Sequence, residues 1–102
     1  MKNNIIKDKS FVFSLRIIQL YKFLCEEKKE YVMSKQVLRS GTAVGALIRE
    51  SEHAESKADF IHKMAIALKE ANETEYWLEL LFQSEYIEKK TFIPFKKIFT
   101  KY

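Results

Sequence analysis

Apolar residues recur at helical spacing along most of the chain. The first such segment covers residues 10–27. Phe11, Leu15, Ile18 and Cys25 share one face, and Phe13, Ile17, Leu20, Tyr21 and Leu24 extend it most of the way around. Only Ser14, Arg16, Gln19 and Lys22 interrupt it. A helix that is apolar on nearly all sides is buried on nearly all sides. In a chain of 102 residues, burial of that extent calls for another subunit.

The second segment covers residues 34–55. Val37, Gly41, Val44, Ile48 and Ser51 step by three and four, with Ser40, Thr42, Ala43, Gly45 and Ala46 around them. Small side chains let two helices approach closely. A glycine costs about 1 kcal/mol of helix propensity, so close packing is the expected offset at Gly41 and Gly45. The competing reading is a loop at Ser40-Gly41-Thr42.

The third segment, residues 56–84, opens on the capping box Ser56-x-x-Asp59. Ile61, Met64, Leu68, Ala71, Glu75, Leu78 and Phe82 form a seam of alternating three and four steps. Glu75 is its polar member, and a buried carboxylate must be paired. In an antiparallel hairpin with the second helix it lies level with Gln36 and one turn from Arg39, so it reads as a structural pin. A second stripe of Ile66, Trp77, Leu80 and Leu81 points about 150° away from the seam. It reads either as a cover for a neighbouring helix or as an oligomer interface, where Trp is enriched.

The fourth segment covers residues 89–102, with Pro94 near its start and Phe92, Phe95, Ile98 and Phe99 as its apolar face. Four helices joined by short turns, with no strand signal, predict an all-α, antiparallel up-down-up-down four-helix bundle. Residues 1–102 form a single domain on this reading.

Composition narrows the chemistry. Two glycines and one proline cannot punctuate an all-β fold, and neither GxGxxG nor a Walker pattern is present. The one cysteine, Cys25, excludes an internal disulfide and a cysteine-based zinc site. With no signal-peptide pattern and no apolar run near the ~18 residues of a membrane span, a cytoplasmic protein is expected.

The net charge of +4 is unevenly distributed. Residues 1–88 hold 13 Lys/Arg and 14 Asp/Glu, whereas residues 89–102 hold five lysines and no acid. One reading is a nucleic-acid footprint on the last helix. The other is internal neutralisation, with Lys96, Lys97 and Lys101 answering Glu50, Glu52, Glu55 and Asp59 across the bundle.

Glu50-x-x-His53 and Asp59-x-x-His62 have the spacing of di-iron carboxylate bundles. On helices in this register both histidines point away from the core faces, whereas such a site needs inward projection. Cys25 lies on an apolar stripe, and no Ser/His/Asp order stands out. No metal, cofactor, catalytic residue or enzymatic activity is expected.

The stretch from Lys35 to Leu81 resembles a known family. Its features are Leu38-Arg39-Ser40-Gly41-Thr42 followed by Gly45, then Ser56-Lys57-x-Asp59-Phe60-Ile61. Ala67-Leu68-Lys69-Glu70-Ala71 and Glu73-Thr74-Glu75-Tyr76-Trp77-Leu78 follow. Together they are similar to the four-helix-bundle proteins encoded within intervening sequences of bacterial 23S rRNA genes. The resemblance implies a ring-shaped homopentamer. It also implies kinship with the accessory protein of diversity-generating retroelements, which binds nucleic acid and a reverse transcriptase through a basic surface. The run Arg49-Glu50-Ser51-Glu52-His53 and the short fourth segment depart from the family's usual pattern.

The expectation is therefore a non-enzymatic oligomer that binds RNA or DNA. Lys89, Lys90, Lys96 and Lys97 would supply phosphate contacts, with Arg39 and Arg49 as further candidates. Ile66, Trp77, Leu80 and Leu81 would form the oligomer interface. The alternative is a protein–protein interaction scaffold without nucleic-acid binding.

Overall fold

The computed structural model describes residues 2–100, with side chains over residues 5–98. Four helices follow one another: α1 (Lys2–Glu26), α2 (Met33–Ser51), α3 (Lys57–Gln83) and α4 (Lys89–Thr100). They form an all-α bundle in which α2 packs between α1 and α3, and α4 returns along α3. No helix among the described residues is long and apolar enough to cross a membrane.

Local chemistry sets most of the helix ends. Ser56 caps α3 by accepting from the Asp59 N–H at 3.1 Å. The Asp59 carboxylate accepts in turn from the Glu55 N–H, so the reciprocal bond reaches one residue further back than in the usual box. At the other end of α3, Glu85 takes φ 68°. The Tyr86 N–H then reaches the Leu81 carbonyl and the Glu85 N–H the Phe82 carbonyl, a Schellman closure without glycine.

α2 starts on a cap from outside the helix, supplied by a glutamate at the end of a charged run, Glu26-Glu27-Lys28-Lys29-Glu30. Glu30 is 8% exposed, and its carboxylate accepts from the N–H groups of Val32, Met33 and Ser34 at 3.2, 3.0 and 2.7 Å. Three N–H groups at the start of the helix are thereby satisfied by one side chain two residues before the N-cap.

Several boundaries move. α1 begins at Lys2 rather than residue 10, and α2 ends at Ser51 rather than residue 55. α2 runs unbroken through Ser40, Gly41 and Thr42, which removes the loop alternative. A β-carbon at Gly41 would lie 2.8 Å from Ile17 Cγ1, and one at Gly45 3.2 Å from Ser14 Oγ. Both glycines mark the line where α1 and α2 touch. The last residues assigned to the fourth helix, Lys101 and Tyr102, and the Phe99 side chain lie outside the described residues.

The core centres on Ile17, Leu24, Val37, Leu78 and Leu81, each almost wholly inside. α4 closes it with Phe92, stacked on Phe82 at 4.5 Å between centroids, and Phe95, edge-on to Phe13 at 5.9 Å. Among the described residues the α2–α3 contact carries one buried polar pair, and it is not the one expected. Thr74 donates to Ser40 Oγ at 2.9 Å with both residues fully buried.

Glu75 is half-buried and has no hydrogen bond or ion pair among the described residues. It meets neither Gln36 nor Arg39, which corrects its assignment as the pin. The residues of α3 that are buried, Ala67, Thr74, Leu78 and Leu81, lie mainly one position before the expected seam. The seam itself is the stripe that faces α4. α4 covers it at Leu78 and Phe82, while Leu68 and Ile61 remain 61% and 57% exposed.

Helix length explains that split. At about 1.5 Å per residue, the 12 residues of α4 span about 18 Å and the 27 of α3 about 40 Å. Ile98 is the last residue of α4 whose side chain is described. A groove of about 360 Å³ opens there, bounded by Ile6 and Lys9 of α1, Met64, Leu68 and Glu75 of α3, and Ile98.

Candidate functional site

The basic surface is built by the sidedness of α4. Phe92 and Phe95 turn inward, and the intervening spacing leaves Lys89, Lys90, Lys96 and Lys97 exposed. Lys89 and Lys96 are seven residues apart and so share one face, as do Lys90 and Lys97. Lys96 Nζ also lies over the Phe92 ring, 5.8 Å from its centroid.

Three of the four acids about the α2–α3 turn, Glu50, Glu52 and Asp59, find cations outside α4. Glu52 meets Lys7 of α1 at 3.5 Å, and Glu50 and Asp59 both meet Lys63 of α3, at 3.7 and 3.8 Å. On α4's own segment Lys90 pairs with Glu88 at 3.5 Å, with both groups almost fully solvated. An exposed pair of this kind contributes little. Lys89 and Lys96 have no ion-pair partner among the described residues.

The two arginines differ from the lysines. Arg39 is held by Glu70 at 3.2 Å and by a closer ion pair to Glu73. The Trp77 indole N–H donates to the same Glu73 carboxylate at 3.0 Å. That donation first, and Arg39 second, hold the Glu73 carboxyl below the ordinary carboxylate range. Arg39 is therefore committed within the chain. Arg49 lies over the Phe11 ring, 5.7 Å from its centroid, and remains exposed.

Of the stripe expected at an oligomer interface, Ile66, Trp77 and Leu80 are half-buried on the chain's surface. Leu81 is 0% exposed and belongs to the core, so it leaves that set. Apolar surface is instead most open on α1, where Phe11, Val12 and Leu15 are 50%, 46% and 47% exposed. The unusual apolar circumference of the first helix was the signal for it. His53 falls in the turn after α2 rather than on a helix. Among the described residues no three His, Cys, Asp or Glu side chains come together as metal ligands.

The family model for the 23S rRNA-intervening sequence protein matches residues 2–102. The chain belongs to this family. A solved member-like structure from Bacteroides thetaiotaomicron VPI-5482, described as a protein of unknown function from the S23 ribosomal protein family, is 60% identical. The alignment covers 99% of this chain and 90% of that one, with a TM-score of 0.95. Among curated proteins, none matches the chain. The family thus carries the four-helix fold derived above.

Proposed function

We propose that this chain is a non-enzymatic, self-associating helical protein that binds RNA or DNA through α4. One observation carries the reading. The helix α4 presents four exposed lysines and carries no acid of its own, while Glu50, Glu52 and Asp59, three of the four acids expected to neutralise it, pair with Lys7 and Lys63. Lysines in this arrangement suit phosphates, which fix position without reading sequence. Lys89 and Lys96 are the principal contacts, with Lys90, Lys97 and Arg49 beside them. Arg39 is excluded by its two glutamates. Both the family description and that of the relative name an rRNA or ribosomal setting, which fits a nucleic-acid partner.

Self-association is supported by the exposed apolar face of α1, since contiguous exposed apolar surface marks interaction sites. It would also repeat the α4 lysines within one particle, and repeated weak sites reinforce one another.

The second reading is a scaffold for another protein, such as a reverse transcriptase, favoured by the open groove beside Leu68 and Glu75. Charge reversal separates the two. Fluorescence anisotropy with a mixed pool of labelled RNA and DNA at low salt should show binding that weakens as salt rises. Lys89→Glu with Lys96→Glu should abolish it without loss of helical content, and Lys89→Ala with Lys96→Ala should flatten the salt dependence by about two phosphate contacts. Retention of full binding by the reversed protein, or no binding by the native one, favours the scaffold.

A further inference from the structure

Several residues of α4 work against its own helix. Lys89 and Lys90 open it, and its first turn holds no acid. A helix N-terminus carries positive partial charge, so cations at that end lower its stability. The preceding carboxylate, Glu88, meets Lys90 at 3.5 Å, but both groups are largely solvated. Pro94 falls inside the helix, where it removes an N–H and crowds the carbonyl four residues back. Thr91, Phe92, Ile93, Phe95 and Ile98 are β-branched or aromatic and lose side-chain freedom in a helix. Lys97, in the last turn, has the sign that the dipole favours.

Packing holds the helix in place instead. α4 lies along α3, with Phe92 stacked on Phe82 and Phe95 edge-on to Phe13 of α1. Ile87 is buried just before it, which anchors the turn and leaves residues 89–98 as the part that can lift. An element of low intrinsic stability held by few buried side chains opens before the rest of a fold. Lys89 and Lys96 share a face only while α4 is helical, about 10 Å apart along its axis. A polyanion spanning both therefore favours the docked helix, and a ligand that binds one state stabilises it by mass action. Its phosphates also bring to the first turn the negative charge that the chain does not place there.

We propose that α4 is a strap that nucleic acid closes: phosphates bound at Lys89 and Lys96 complete the helix and hold Phe92 and Phe95 in the core, a coupling that rests on the nucleic-acid reading above. Without the ligand, α4 lifts more often than the rest of the bundle unfolds. With it, the basic face and the apolar face are fixed together, because one helix carries both.

The test is native-state hydrogen exchange of the full chain at low salt, read by mass spectrometry, with and without the mixed pool of RNA and DNA. Without the pool, the amides of residues 92–98 should exchange faster than those of Leu78 and Leu81. With the pool at about a hundredfold above its Kd, they should slow by about tenfold or more. Lys89→Glu should slow them about two- to fivefold without the pool and lose most of the pool's effect. Pro94→Ala changes no lysine and should slow them by about tenfold or more without the pool. Residues 92–98 as protected as Leu78 without the pool, or unaltered by both substitutions, overturn the strap. A pool that binds by anisotropy yet leaves the exchange unchanged overturns the coupling and leaves nucleic-acid binding standing. No binding at all overturns both.

Discussion

Ile17 occupies the space that a side chain at Gly41 would need. A β-carbon there would lie 2.8 and 2.9 Å from its two γ-carbons, closer than nonbonded carbons approach. Gly41 and Ile17 are both wholly buried, so neither helix can yield into solvent. Gly41→Ala should thus destabilise the chain by about 1–3 kcal/mol through overpacking, although alanine is the better helix former. Chemical denaturation checks it, and an increase in stability would show that α1 and α2 part easily.

Ser40 and Thr74 form the buried polar contact between α2 and α3. Thr74→Val leaves Ser40 without that partner in a dry site and should cost about 1–2 kcal/mol. Replacing both, as Ser40→Ala with Thr74→Val, should cost less than the two single changes summed. A strictly additive double-mutant cycle would contradict a direct contact.

The Glu30 cap makes a comparable prediction at the start of α2. Glu30→Ala removes the acceptor for three N–H groups and should lower stability by about 1–2 kcal/mol. Hydrogen exchange should quicken first at Met33 and Ser34. Unchanged protection there would mean that solvent serves those groups equally well.

Glu85 holds a left-handed conformation that side chains resist, at φ 68°. Glu85→Gly should raise stability by about 1 kcal/mol, because the Schellman closure of α3 then carries no steric cost. Thermal unfolding reads the change directly. A lower midpoint would show that the carboxylate contributes more than the backbone strain removes.

The Arg39–Glu73–Trp77 cluster predicts a pH dependence. The carboxyl of Glu73 titrates lower in the folded chain than in the unfolded one. Its contribution is therefore present above the ordinary glutamate pKa and lost as pH falls through the lowered folded value. Native and Glu73→Gln proteins should differ in midpoint near about pH 7 and converge by about pH 2. The cluster is exposed, so the difference should be small. A gap that persists in acid would assign the effect to packing instead.

The helices were legible because their signals are local. The 3.6-residue period, the Ser56 cap and the small residues around Gly41 depend on neighbours within a few positions. The buried partner across α2 and α3 was not legible, since Thr74 and Glu75 are adjacent in sequence and differ by one register step. The family resemblance located the fold correctly, and the lysines of α4 were visible as a charge run. That Glu50, Glu52 and Asp59 pair with Lys7 and Lys63 instead was not, because it depends on which helices meet at that turn.

The same division holds for the whole molecule. By itself the sequence determined four helices, their all-α assembly, a first helix with more apolar surface than one chain can bury, and a basic last helix. Periodicity and composition suffice for these. Only the tertiary structure decided which apolar stripes are covered. Coverage of Leu68 and Ile61 on α3 depends on the length of a helix some twenty residues or more away in sequence, and no local pattern records that length against the bundle. Among the described residues α4 closes the core at Phe92 and Phe95 and leaves Leu68 and Ile61 exposed, whereas the outer face of α1 stays open because it lies opposite that core.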